Sequence, residues 1–439
     1  MLSQGLTGSA KCPLGRGSVR GLRLAERKSS TKTRRCRQTP LVCARMGGAV
    51  GPEPVANLDN GAVVEGPDLS VTVDGLKLPN PFITGSGPPG TNYTVMKKAL
   101  DEGWGGVICK TLTLDPSKMI NVSPRYATLK AYGGKEIMGW ENIELLSDRP
   151  LETMLDDLAR LRAEYPDRIL IASIMEEYKK EAWQEIITRC EDVGVDAFEI
   201  NFSCPHGLPE RGMGMAMGQN PDVLGDVCGW IDELATIPVW AKMTPNVTDI
   251  TIPARIALNA GCEGVAAINT ITSVMGMNLD TLRPEPSVEG YTTPGGYSYK
   301  AVKPIALARV MSIAKMIRDD FEGKKSLSGL GGVEIGTDAA EFILLGSDTV
   351  QVCSGVMVHG YPLVKKLCGG LQEFMKKHGF ESIGDFKGES LQYFTTHADL
   401  VHRQKLASES KRAKKVASDA DWSGDQFTSE AESMVANNK

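Results

Sequence analysis

Between Pro81 and Lys377, short apolar runs alternate with segments whose apolar residues recur every three to four positions. The runs Phe82–Gly85, Gly106–Lys110, Ile169–Ile174, Ala197–Ile200, Val239–Lys242, Gly264–Asn269, Ser326–Gly329 and Thr349–Cys353 predict strands. Between them, helices are predicted over Thr94–Glu102, Leu151–Glu164, Glu181–Asp192, Asp222–Leu234, Ile252–Asn259, Pro304–Asp319, Ala339–Leu345 and Pro362–Lys377. Several strands are continuously apolar, as expected when helices cover the outside of a parallel sheet. Eight strand-then-helix units predict an α/β fold, a TIM (β/α)8 barrel with its chemistry at the C-terminal ends of the strands. A doubly wound open sheet is the competing architecture. The count of eight, and the polar residues that end nearly every strand, favour the barrel. Ahead of it, Val71–Leu78 alternates around Asp74-Gly75, an N-terminal hairpin signal. Behind it, residues 381–439 form a separate tail, basic over Lys405–Lys415 and acidic over Ser418–Lys439, read as helical and then disordered.

The polar strand ends carry the candidate chemistry. They are Gly85-Ser86-Gly87, Lys110-Thr111, Asn201-Phe202-Ser203-Cys204, Lys242-Met-Thr-Pro245, Asn269-Thr270, Gly329-Leu-Gly-Gly332 and Cys353-Ser354. On a barrel they converge on one mouth. Cys204 sits in a loop with an asparagine, a serine and His206, where a thiol can give or take one proton. His206 either orients that thiol or is a solvated loop residue. Cys353 lies within an apolar strand and reads as core. Lysines rarely end a barrel strand without a partner, so Lys110 and Lys242 suggest either an anionic cofactor or two structural ion pairs. Backbone N–H groups of the two Gly-containing turns after the seventh and eighth strands suit a phosphate. Gly85-Ser-Gly-Pro-Pro-Gly90 fits the dinucleotide pattern literally, but its two prolines remove N–H donors that a pyrophosphate needs.

Composition separates the N-terminus from the rest. Residues 1–46 hold eleven Lys/Arg, one acid (Glu26) and nine Ser/Thr, with no apolar core segment. That is the make-up of an organellar transit peptide, with plastid import expected and the mitochondrion as alternative. Residues 47–66 are a Gly/Pro linker, and 67–380 are the barrel domain. Beyond residue 46 the chain has 38 basic and 53 acidic residues, a charge of −15, which argues against nucleic acid as a partner. No apolar run is long enough to span a membrane. The ten cysteines show no Cys-x-x-Cys pair, so neither a metal site nor an iron–sulfur ligand run is expected.

Together these residues resemble the flavin domain of the dihydropyrimidine dehydrogenases, within the wider dihydroorotate dehydrogenase-like group. The resemblance covers roughly residues 68–380. It is carried by Asn142-Ile-Glu-Leu145, Ala172-Ser-Ile-Met175, Asn201–Gly207 with Glu210–Gly214, Lys242–Asp249 and Gln351–Ser354. It implies FMN contacts from Ser86, Lys110, Thr111, Lys242, Gly331, Gly332, Val333, Cys353 and Ser354. It implies pyrimidine contacts from Asn142, Asn201, Phe202, Ser203, Asn269 and Thr270, with Cys204 as the catalytic proton-transfer residue. The implied reaction is reduction of uracil or thymine at the expense of NADPH, for which the sequence identifies no binding site. A homodimer and a separate electron-donor protein are open partners. Oxidation of dihydroorotate, or flavin binding without catalysis, are the alternatives. One departure stands out: Tyr299 occupies a position where the family has a glycine near the flavin.

Overall fold

The computed structural model describes residues 66–204 and 212–414, preceded by two short strands, Leu58–Asp59 and Ala62–Val63. The transit segment 1–46, most of the linker, His206, Glu210-Arg211 and the acidic end of the tail lie outside the described residues. Eight parallel strands close a barrel: β1 (Phe82–Thr84), β2 (Gly106–Ile108), β3 (Ile169–Ile174), β4 (Ala197–Asn201), β5 (Val239–Lys242), β6 (Gly264–Ala267), β7 (Ser326–Leu330) and β8 (Thr349–Val352). They pair in chain order, and β8 joins β1 through Val350–Phe82 and Val352–Thr84. Around them run α1 (Tyr93–Glu102), α2 (Leu151–Glu164), α3 (Lys180–Asp192), α4 (Pro221–Asp232), α5 (Thr251–Asn259), α6 (Lys303–Asp320), α7 (Gly336–Leu344) and α8 (Leu363–His378). The expected α/β barrel is the observed one.

The continuous apolar runs conceal a period of two. In β3, Leu170, Ala172 and Ile174 face the helices, whereas Ile169 and Ile171 pack inside the barrel. Local signals set the helix ends. Asn92 caps α1 by accepting from the Val95 N–H at 3.1 Å, and Gly103 ends it at φ 100°. Asn220 caps α4, whose first residue is Pro221.

The hairpin Val71–Val73/Leu76–Leu78 turns on Asp74 and Gly75, both at positive φ (50° and 86°), as a two-residue loop of this type requires. Val73, Leu76 and Leu78 pack on Ile83, Ile108, Ile171 and Trp240 and plug the N-terminal end of the barrel. Asp74 Oδ2 pins the plug by accepting from Trp240 Nε1 (2.7 Å) and Ser326 Oγ (2.5 Å). With that end filled by side chains, only the opposite end is left for a ligand.

That open end carries structure the local pattern does not predict. The segments following β2 and β6 contribute a four-stranded antiparallel sheet in the order Ile271–Ser273, Gly295–Ser298, Ile137–Asn142, Tyr126–Lys130. It roofs part of the mouth. The tail begins as the helix His397–Lys414, in which nothing described is buried. No helix among the described residues is long and apolar enough to cross a membrane.

Candidate active site at the barrel mouth

Strand alternation sorts the site residues. In β4 the side chains of Ala197, Glu199 and Asn201 turn inward, while Phe198 and Ile200 turn toward the helices. The same period puts Lys242 of β5 and Gln351 of β8 inside. The interior thus changes from apolar at the plug to polar at the mouth.

The polar layer is a connected network. Lys242 Nζ donates to Glu199 Oε1 (2.9 Å) and Ser86 Oγ (3.0 Å), Ser86 donates to the same oxygen (2.9 Å), and Gln351 Nε2 donates to Glu199 Oε2 (2.7 Å). Glu199 is fully buried and Lys242 is 3% exposed. Across the mouth, Lys110 Nζ lies 2.9 Å from Glu144 Oε2, and the other oxygen of that carboxylate, Oε1, lies 3.2 Å from Arg125 Nε. Both lysines therefore have the structural partners expected of buried charges, and both ammonium groups border the cavity.

Asn201 organises the thiol loop. Its Oδ1 accepts from the N–H groups of Ser203 and Cys204 (both 3.1 Å) and from Ser203 Oγ (3.0 Å), and its Nδ2 donates to Thr111 Oγ1 (3.0 Å). Asn269 Nδ2 donates to Ser203 Oγ at 2.6 Å. Cys204, 8% exposed, sits against Met119, Leu146, Met175 and Met213.

A cleft of about 1100 Å³, its open side included, runs across this layer. Its lining includes Ser86, Lys110, Thr111, Asn142, Asn201, Cys204, Lys242, Asn269, Thr270, Gly331, Gly332, Val333, Cys353 and Ser354. Two expected contacts are not there. Phe202 follows the inward Asn201 by one residue and so turns outward, fully buried beside Trp183 of α3 with ring centroids 6.4 Å apart. Ser203 is fully buried behind the wall, bridging Asn201 and Asn269. Cys353, read as core from its strand, instead follows the end of β8 and reaches the cavity. Its side chain packs against Gly87, where an added Cβ would lie 2.6 Å from Sγ. Burial pushes that thiol up to about 11, against the pull of Lys242 and Lys110. The Gly85–Gly90 motif packs the turn after β1 against β2: a Cβ at Gly90 would sit 2.3 Å from the Ile108 carbonyl.

Residues that strand reading does not single out complete the site. Glu199 is signalled only by an acid inside the run Ala-Phe-Glu-Ile. Glu144, Tyr126, Trp140 and Tyr297 come from excursions between barrel elements and carry no comparable signal. Trp140 Nε1 is buried with no hydrogen-bond partner among the described residues, which leaves a donor for a ligand.

The cleft has room and polar groups for a flavin. At one end Gly331 and Gly332 hold φ of 135° and 78°, and Ser354 and Gly355 border the same end, so backbone approaches the cleft from the turns after β7 and β8. Two lysines stand further in, beside polar groups able to face a flat ring. Among the described residues no cluster of His, Cys, Asp or Glu is arranged for a metal.

Tyr299 also lines this cleft, at φ 79° and ψ −166°, backbone that only glycine adopts freely and that costs another residue about 1–3 kcal/mol. Its hydroxyl donates to Glu334 Oε1 and lies 3.3 Å from His359 Nε2. Burial raises the Glu334 carboxyl, but Lys300, Tyr299 and His359 together hold it below the usual carboxylate range.

Residues 68–375 match the model of the family described as dihydroorotate dehydrogenase. The chain belongs to that family. Among its family relatives, the chloroplastic dihydropyrimidine dehydrogenase (NADP(+)) of Arabidopsis thaliana is 67% identical over 377 residues, which are 84% of this chain and 88% of that one. The NAD-dependent dihydropyrimidine dehydrogenase subunit PreA of Escherichia coli K12 is 40% identical over 324 residues, 73% of this chain and 76% of PreA. The dihydroorotate dehydrogenase B (NAD(+)) catalytic subunit of Pyrococcus horikoshii is 33% identical over 323 residues, 74% and 98% of the two chains. The barrel of this dihydroorotate dehydrogenase-family chain also matches the crystal structure of DHODH from Eimeria tenella in complex with ferulenol. That match has a TM-score of 0.60 at 21% identity, covering 73% and 88% of the two chains.

Proposed function

We propose that this chain is a flavin-dependent dihydropyrimidine dehydrogenase that reduces the 5,6 double bond of uracil or thymine, with NADPH as the ultimate electron source, in the plastid. The observation that carries the reading is the meeting, on one cleft, of the Cys204 loop with three asparagine side chains and two buried lysines. The name of the Arabidopsis relative, and its stated chloroplastic location, support both halves.

In this reading Ser86, Lys110, Thr111, Lys242, Gly331, Gly332, Val333, Cys353 and Ser354 hold FMN. When bound and reduced, that group supplies the hydride received at C6 of the pyrimidine. Lys242 and Lys110 favour negative charge on the ring, and the Glu199 and Glu144 pairs fix where those ammonium groups stand. Asn142, Asn201 and Asn269 each carry a second amide N–H beyond the one Nδ2 already uses, which can meet the C=O groups of the pyrimidine edge. Thr270 adds to the same wall, while Ser203 works one layer back by holding Asn201 and Asn269. Cys204 Sγ gives its proton to C5 as hydride arrives at C6, so that charge does not accumulate on the ring. Met119, Met175 and Met213 pack around it and line its surroundings with apolar atoms.

The experiment bypasses the unknown electron donor. The chain from about residue 47 is loaded with FMN, reduced with dithionite under argon, freed of excess reductant and mixed with uracil. Uracil should restore the oxidised flavin spectrum within seconds, whereas orotate should not. Reoxidation by orotate alone would overturn the substrate. No reoxidation by any pyrimidine would leave a flavin-binding protein without this catalysis.

A further inference from the structure

We propose that Tyr299 is a cofactor-positioning residue: a latch that ties the β6–α6 excursion to the two turns that would receive the flavin phosphate. The inference rests on the flavin reading above and adds a residue and a role to it. Four observations carry it. Tyr299 holds φ 79° and ψ −166° although it is not glycine, so something pins it there. The pin is its buried hydroxyl, which donates to Glu334 in the turn after β7 and approaches His359 in the short helix Ser354–His359 after β8. Its carbonyl presses on Gly332, where an added Cβ would lie 2.9 Å from that oxygen. The residue before it repeats the tie, since Ser298 Oγ lies 2.8 Å from Ser354 Oγ.

The excursion, the Gly331–Glu334 turn and the Ser354–His359 helix are thus joined by one side chain whose own contacts avoid the polar wall around Cys204. Glu334 is further held by Lys300 at 2.8 Å, with Lys300 also paired to Glu136 of the mouth segment after β2. A hydroxyl bound to a fixed, ionised carboxylate is a strong anchor. Releasing it lets Tyr299 relax toward ordinary backbone and carries the carbonyl away from Gly332. The loosened part is the phosphate end, not the ring end.

The chain stripped of flavin is titrated with FMN and, separately, with riboflavin, reading flavin fluorescence quenching, for the parent, Tyr299→Phe and Tyr299→Gly. Thermal unfolding of each flavin-free protein is measured alongside. Both variants should bind FMN roughly tenfold more weakly, the loss of one charge-assisted bond, with riboflavin affinity unchanged within about twofold. Tyr299→Gly removes both the backbone penalty and the latch, so it separates the two. FMN binding by Tyr299→Gly as tight as the parent's would show that the position needs only its backbone shape and would overturn the proposal. Equal weakening of FMN and riboflavin would also overturn it, because the effect would then be general loosening. Should Tyr299→Gly fail to fold, Tyr299→Phe alone decides: unchanged FMN affinity rejects the latch. A parent that binds neither ligand would reject the flavin reading itself.

Discussion

Replacing Lys242 by Met removes one ammonium and keeps an unbranched stem of similar length. In the parent, Lys242 and Glu199 are 3% and 0% exposed and 2.9 Å apart. Taking away one partner of such a pair strands the other charge, at a typical cost of about 3–5 kcal/mol. Glu199 keeps two donors, Ser86 Oγ at 2.9 Å and Gln351 Nε2 at 2.7 Å, which places the expected loss at the low end, about 3 kcal/mol. For a domain of this size that lowers Tm by roughly 6 °C. Adding Glu199→Gln removes the stranded charge, so the double variant should return to within about 1 kcal/mol of the parent. The assay is urea unfolding of the flavin-free chain followed by tryptophan fluorescence, backed by thermal unfolding. FMN retention is measured on the same samples. The double variant should be stable yet still lose FMN faster than the parent, since no cation remains at that strand end. A Lys242→Met protein within about 0.5 kcal/mol of the parent would refute the reasoning. So would a double variant no more stable than the single one, because the cost would then not be a stranded charge.

Cys204→Ala should keep FMN and uracil binding while reduction of uracil falls about 10²–10⁴-fold, and Cys204→Ser should be nearly as poor; single-turnover reoxidation of the reduced flavin checks both. Near-normal turnover in Cys204→Ala would move the proton to another donor. Cys353→Ser should stay within a few-fold of the parent in the same assay, because that thiol packs on Gly87 and burial keeps it protonated until the pH approaches about 11. Residues 1–50 fused to a fluorescent reporter should carry it into plastids in leaf cells. A cytosolic reporter would contradict the transit reading.

By itself the sequence determined the eight strand-helix units and the plug, because these rest on neighbours in the chain. Periodicity, Asn92 and Asn220 before helices, and Asp74-Gly75 between alternating residues are local facts, and the strand boundaries moved by no more than two residues. The strand-end residues Lys110, Asn201, Lys242 and Asn269 line one cleft too, since a parallel barrel brings every strand end to one mouth whatever the packing details, whereas Asn142 reaches that cleft from the roof. The tertiary structure decided the rest. Asn201 and Phe202 look equivalent at a strand end, yet one more residue reverses the face, and only the observed end of β4 sets which side each takes. The charge on Lys242 needed Glu199, forty-three residues away, before it could be read as a held cation rather than a bare one. The roof over the mouth depends on Gly296 pairing with Asn142, and neither short, half-polar strand would persist without the other. Tyr299, at φ 79°, meets Glu334 and His359 from the turn after β7 and the helix after β8, contacts that no local pattern announces. Local pattern places elements, but partners brought together by chain closure set charge, orientation and strain.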